Sequence, residues 1–232
     1  MKKPFQKLKQ AIFFPLLFLF VFSFFCVQVQ AQEVVDKTVA TVSDGVRTEL
    51  ITYSDLLWQL ALVPNIPLTP PTSEDLNRAL QIVIRQRLIA LDAERLPGAE
   101  PTKEEIDAKI KDVLALFPST SEFVRRLNIV GFDSIDDENF QRIMRQRVAT
   151  EKYIEFRFRS FVVITPEDEK DYYQKVFTSD FRRQNPGLLL PPFDEVRARI
   201  NTTLTEQKVE SDIETFLDNA RTRAEIVVLS EV

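Results

Sequence analysis

The chain closes on Ala224-Glu225-Ile226-Val227-Val228-Leu229, a short β-branched run that follows a long stretch of helical periodicity. A lone strand needs a neighbour, because its backbone N–H and C=O groups must find partners. The only other strand-like text lies at the opposite end. There "VVDKTVATVSDGVRTELI", residues 34–51, alternates apolar and polar residues about Ser43-Asp44-Gly45, a hairpin signal. The two ends are therefore predicted to meet in one small antiparallel sheet, with Val39 and Ile51 facing the core. What lies between them reads as helix. The predicted fold class is mainly α, with a small sheet joining the N-terminal hairpin to the C-terminal strand.

Local chemistry marks the helices. Thr52, three residues ahead of Asp55, caps a brief helix carrying Leu56, Leu57, Trp58 and Leu60. Four prolines within 64–71 stop it and predict an extended loop. A helix over 74–96 sets Leu76, Leu80, Val83, Ile84, Leu88 and Leu91 at three- and four-residue steps. Ile82 and Ile89 fall on a second face, so this helix is expected to be central. Thr102 and Glu105 form a capping box before the stripe Ile106, Ile110, Val113, Leu114 and Phe117.

A short helix over 121–128 ends at Gly131, a left-handed stop with Phe132 packing behind it. Ser134 starts another long helix through Phe140, Ile143, Met144, Val148 and Ile154. Its basic residues, among them Arg142, Arg145, Arg147 and Lys152, read as a solvated face. The acids of "DSIDDEN" complement the start of that helix and lack the glycine of a calcium loop. Thr165, Pro166 and Asp168 open one more helix, expected to end near Tyr173. A proline-marked linker over 174–192 leads to the last helix, where Val196, Ile200, Val209, Ile213, Phe216 and Leu217 share one side. Asn201-Thr202-Thr203 matches a glycosylation sequon but sits mid-helix.

Residues 1–31 carry four lysines and no acid, an apolar run over 11–27, and a small-residue ending. This is a signal peptide in pattern, with cleavage expected between Ala31 and Gln32 and export to the periplasm. The alternative is an uncleaved inner-membrane anchor. Cys26 follows Phe25, where a lipobox needs a small residue. Without the leader, 26 basic residues face 35 acidic ones, a net charge of −9 that argues against a nucleic-acid partner.

The chemistry toolkit is thin. There is no histidine, no cysteine after the leader, and only four glycines. Zinc sites built on His or Cys, Ser-His triads and glycine-rich phosphate loops are thereby disfavoured. No catalytic residue, cofactor or metal is expected.

The blocks "VVDKTVATVSDGVRTELITYSDL", "LIALDAERLPGAEPTKEEIDAKI", "LNIVGFDSIDDENFQRIMRQRV", "VVITPEDEKDYY" and "FDEVRARINTTLTEQKVESDIETFLDNARTRAEIVVL" occur in this order. Together they resemble the SurA/PpiC-type periplasmic chaperones. The resemblance implies a single helical chaperone module over 32–232, built from 32–173 plus the C-terminal helix and strand, 193–232. In that family a parvulin isomerase domain usually follows the Tyr-Tyr helix. Here the linker over 174–192 stands in its place.

The resemblance implies an ATP-independent holdase for unfolded or nascent envelope proteins, aromatic-rich outer-membrane proteins among them, possible as a homodimer. Trp58, Phe117, Phe123, Phe156 and Phe158 are the candidate client-binding residues, beside the proline-rich loop. Two other readings stay open. One is a non-catalytic assembly partner of a single envelope complex. The other is a prolyl isomerase with an unrecognised site.

Overall fold

The computed structural model describes residues 36–95 and 100–230. The predicted leader, with Cys26 and the Ala31/Gln32 cleavage point, lies outside the described residues.

The sheet forms as its sequence requires. Gly45 adopts φ 84°, and the Asp44 carboxylate accepts from the N–H groups of Val46 at 2.9 Å and Arg47 at 2.8 Å. These backbone donors, Arg47 foremost, and the Arg95 guanidinium hold the Asp44 carboxyl far below the usual carboxylate range. The turn joins β1 (Thr38–Ser43) to β2 (Thr48–Thr52). β3 (Glu225–Val228) pairs antiparallel with the other edge of β1, Ala40 opposite Val228 and Ser43 opposite Glu225. The strand order is β2-β1-β3. Val39, Ala40, Val42 and Ile51 are fully buried.

The helices are α1 (Tyr53–Ala61), α2 (Ser73–Ala93), α3 (Lys103–Leu114), α4 (Thr120–Ile129) and α5 (Glu138–Arg157). Thr52 with Asp55, and Thr102 with Glu105, form the predicted capping boxes of α1 and α3. Gly131 takes φ 93°, and the Phe132 N–H reaches back to Leu127 O at 3.0 Å. The start of α5 departs from expectation. Asp137, not Ser134, is its cap, because one carboxylate oxygen accepts from both Asn139 N and Phe140 N, at 2.9 and 3.2 Å. The Ser134 hydroxyl is taken by Asp136 N.

Two apolar clusters result. The sheet, α1, α2 and parts of α5 and the C-terminal helix build the first; α3, α4 and the first half of α5 build the second. α2 packs against β1, β2, α1, α5 and the C-terminal helix, the central position its two apolar faces predict. Buried Arg126 on α4 ties the end of α1 to the proline loop. It donates to the carbonyls of Leu60, Ala61, Val63 and Ile66 at 2.8–3.1 Å.

The linker expected over 174–192 is a correction. α6 (Pro166–Tyr172) does not end at Tyr173 but continues through a π-helical turn, Tyr173–Phe177, into α7 (Thr178–Gln184). Tyr173, Phe177 and Phe181 stack in succession, and the Arg199 guanidinium covers Phe177 at 4.9 Å, which holds the extra turns together. Only the stretch around 185–192 is irregular before α8 (Phe193–Arg223). Glu169 on α6 is 3% exposed and accepts from Arg197 Nε and Asn201 Nδ2, both at 2.7 Å. The sequon asparagine is thus a packing partner within α8.

The fold is mainly α with one three-stranded antiparallel sheet. Among the described residues, no helix is long and apolar enough to cross a membrane.

Candidate functional site

The last bond of α5 runs from the Phe158 N–H to Ile154 O at 3.0 Å, and a 3-10 turn, Arg159–Phe161, follows. This turn sorts neighbouring apolar residues to opposite sides. Phe158 is 6% exposed and lies edge-on to Tyr153 and Phe216, with ring centres 6.3 and 5.6 Å away. Phe161 is 70% exposed, Val163 80% and Phe156 58%. Phe156 meets Phe161 edge to face at 6.3 Å. Arg159 pins the turn to α8 through a two-pronged contact with Glu206, 2.7 and 2.6 Å, while its Nε holds Glu155 at 2.7 Å. The paired Arg159 lowers the Glu206 carboxyl below its ordinary value.

Between this segment and the C-terminal part of α8 runs an open groove of about 770 Å³. One wall is mainly apolar, Phe158, Phe161, Val162 and Val163, with the Arg157 guanidinium lying 5.6 Å over the Phe158 ring. The other is the stripe Lys208, Asp212, Thr215, Phe216, Asn219 and Thr222, residues three and four apart on one helix face. Thr215, Asn219 and Thr222 each donate to a carbonyl of their own helix, at 2.8–2.9 Å. Their oxygens remain as acceptors along the groove. One wall therefore suits apolar side chains and the other suits backbone N–H groups, the two needs of an extended polypeptide.

A second crevice, about 430 Å³, lies between α1, α2 and α5. Trp58, Leu62, Ile82, Ile89, Ile143 and Ile154 line it, with Gln59, Gln86 and Arg147 among them. The Trp58 indole N–H donates to Val130 O at 3.2 Å, and its ring packs 5.3 Å from Phe132. Arg147 is not on a solvated face as its sequence context suggests. It turns inward and donates to Gln59 Oε1 at 2.5 Å, and burial holds its guanidinium below the ordinary arginine value.

The five predicted residues separate. Phe158 lines the groove and Phe156 stands beside it on the exposed ledge; Trp58 belongs to the crevice. Phe117 and Phe123 are corrected. They are 7% and 0% exposed, in contact at 4.9 Å within the second apolar cluster, and offer no surface to a client. Helical spacing places them inside, as it does most aromatics.

Phe161 and Val163 join the candidate site although neither falls on a helical stripe. Their signal is the density of apolar residues in "FRFRSFVVIT" just past the end of α5. No protein-family model and no curated protein matches this chain.

Proposed function

We propose that this chain is an exported, ATP-independent holdase that acts by binding alone and shields aromatic-rich segments of unfolded envelope proteins. The observation that carries the reading is the ledge of Phe156, Phe161 and Val163, exposed together beside an open groove lined by Phe158 and Phe216. Exposed apolar surface of this kind is costly to keep on a free protein and marks a binding surface. The resemblance to SurA/PpiC-type chaperones and the leader-like N-terminus support the periplasmic setting. Client side chains would be buried reversibly against the aromatic wall, while client backbone bonds to the polar stripe of α8.

The test is suppression of aggregation when an unfolded outer-membrane protein is diluted from denaturant into purified protein. Wild type at several-fold excess should keep the client soluble, and the double substitution Phe161→Asp, Val163→Asp should abolish this. Equal protection by both, or none by wild type, would end the proposal.

A further inference from the structure

Of the seven charged side chains lining the crevice between α1, α2 and α5, six have ion-pair partners. Arg85 meets Glu214 at 2.6 Å, Arg87 meets Asp55 and Glu49 at 3.4 and 4.0 Å, and Glu151 meets Lys109 at 2.5 Å. Glu94 is bound to Arg47. Arg147 alone makes no ion pair among the described residues, and the Glu151 carboxylate one turn on acts on it only through space. The bond from Arg147 is to the neutral amide of Gln59, which Gln86 Nε2 also contacts at 3.3 Å. A second donor in the same crevice, Arg87 Nε, is buried without an acceptor among the described residues.

A guanidinium withdrawn from water, hydrogen-bonded to an amide and attracted through space by a Glu151 carboxylate that Lys109 already holds, is incompletely compensated, and a carboxylate with two parallel oxygens is the partner its fork fits. Between the paired charges the walls carry apolar side chains, among them Trp58, Leu62, Ile143 and Ile154. The volume is within the range that holds a small ligand or a chain end, roughly 300–1,000 Å³. Amide groups of Gln59 and Gln86 flank the cation; they suit the peptide groups of a polypeptide and have no counterpart in a hydrocarbon tail.

From this arrangement we infer that the crevice binds the free C-terminal carboxylate of a polypeptide ending in an apolar or aromatic residue, with Arg147 as the carboxylate receptor. The inference rests on the holdase reading for its ligand class, a client polypeptide, but uses a different site. It gives the protein two modes of contact: a groove that takes internal segments, and a crevice that reads the chain end.

Trp58, the chain's single tryptophan, lines the crevice and reports on it directly. The experiment is a fluorescence titration with a short peptide ending in Phe with a free carboxylate, with the same peptide amidated, and with laurate. The free acid should bind about tenfold or more tighter than the amide. Arg147→Gln should erase that difference, and Arg145→Gln, exposed on the same helix, should preserve it.

Gln59→Glu guards against a misfolded variant, because it offers Arg147 an internal carboxylate. It should raise Tm and abolish the acid preference together. Acid and amide peptides binding alike would overturn the site, as would an undiminished preference in Gln59→Glu, or laurate bound through Arg147 with no acid peptide bound. If aggregation suppression persists in any of those cases, the holdase reading stands without the crevice. Acid peptide held through Arg147 by a protein that suppresses no aggregation would uphold the crevice and end the holdase reading.

Discussion

The amide of Leu229 donates to the carbonyl of Val39 at 2.9 Å, which seals the last strand against the first. Both ends of the helical body are fixed by this ladder. Without β3, the edge of β1 would lose its pairing from Ala40 to Ser43, and Ile226 would leave the sheet's apolar cluster. Deletion of residues 225–232 is expected to cost about 2–4 kcal/mol, or roughly 5–15 °C in Tm. Thermal unfolding followed by circular dichroism measures it. A deletion variant melting at the wild-type temperature would mean that the helices alone hold the fold.

Arg126 provides a second test. Its guanidinium satisfies four carbonyls at the end of α1 and in the proline loop, a region with few backbone partners of its own. Arg126→Met keeps an apolar stem but removes the donor from all four oxygens, of which Leu60 O retains the Val63 N–H at 3.1 Å, and a loss of about 3 kcal/mol or more is expected. Arg126→Lys should recover only part of it, because an ammonium is a point charge without the planar fork. Urea unfolding of the three proteins gives the comparison.

Glu169 predicts a pH dependence. The Asn201 amide, then Arg197, lower its carboxyl below the ordinary glutamate value of 4.5. A depressed folded value means the unfolded state binds the proton first. The stabilising contribution is therefore complete above about pH 4.5 and fades as pH falls through the lowered folded value. Glu169→Gln should melt below wild type near neutral pH, and the two Tm values should converge on acidification. A constant gap across the acid range would show that Glu169 acts by shape rather than by charge.

How much of this was legible in the sequence follows from the range of each interaction. Capping by Thr52, Thr102 and Thr165 is chemistry between residues three apart, and all three boxes form as the spacing demands. The meeting of hairpin and tail was legible for a different reason: with one lone strand and one hairpin, the pairing had a single solution. Other features depend on distant partners. Arg126 reaches carbonyls some sixty positions away, and no local pattern announces it. The continuation of α6 past Tyr173 rests on aromatic stacking and on Arg199, neither of which periodicity reports. Phe156 and Phe158 are two residues apart, about 200° round the end of α5, so one is exposed and the other buried, and helical position rather than aromatic content decides which can meet a ligand.

The same segment gives the sharpest separation of stability from function. Phe158 is a wall of the groove and also a member of the first apolar cluster, packed between Tyr153 and Phe216. Phe161, three residues on, is 70% exposed and touches mainly Phe156. Phe158→Ala should therefore lower stability by about 3–5 kcal/mol, while Phe161→Asp should change it by no more than about 0.5 kcal/mol. Client protection should follow the opposite order per unit of stability lost: Phe161→Asp, folded as well as wild type, should protect poorly. Chemical denaturation and client aggregation, measured on the same preparations, test both halves. A Phe161→Asp protein that is fully folded and fully protective would move the client surface away from the ledge, because the substitution places a charge on the apolar wall with little disturbance of the fold.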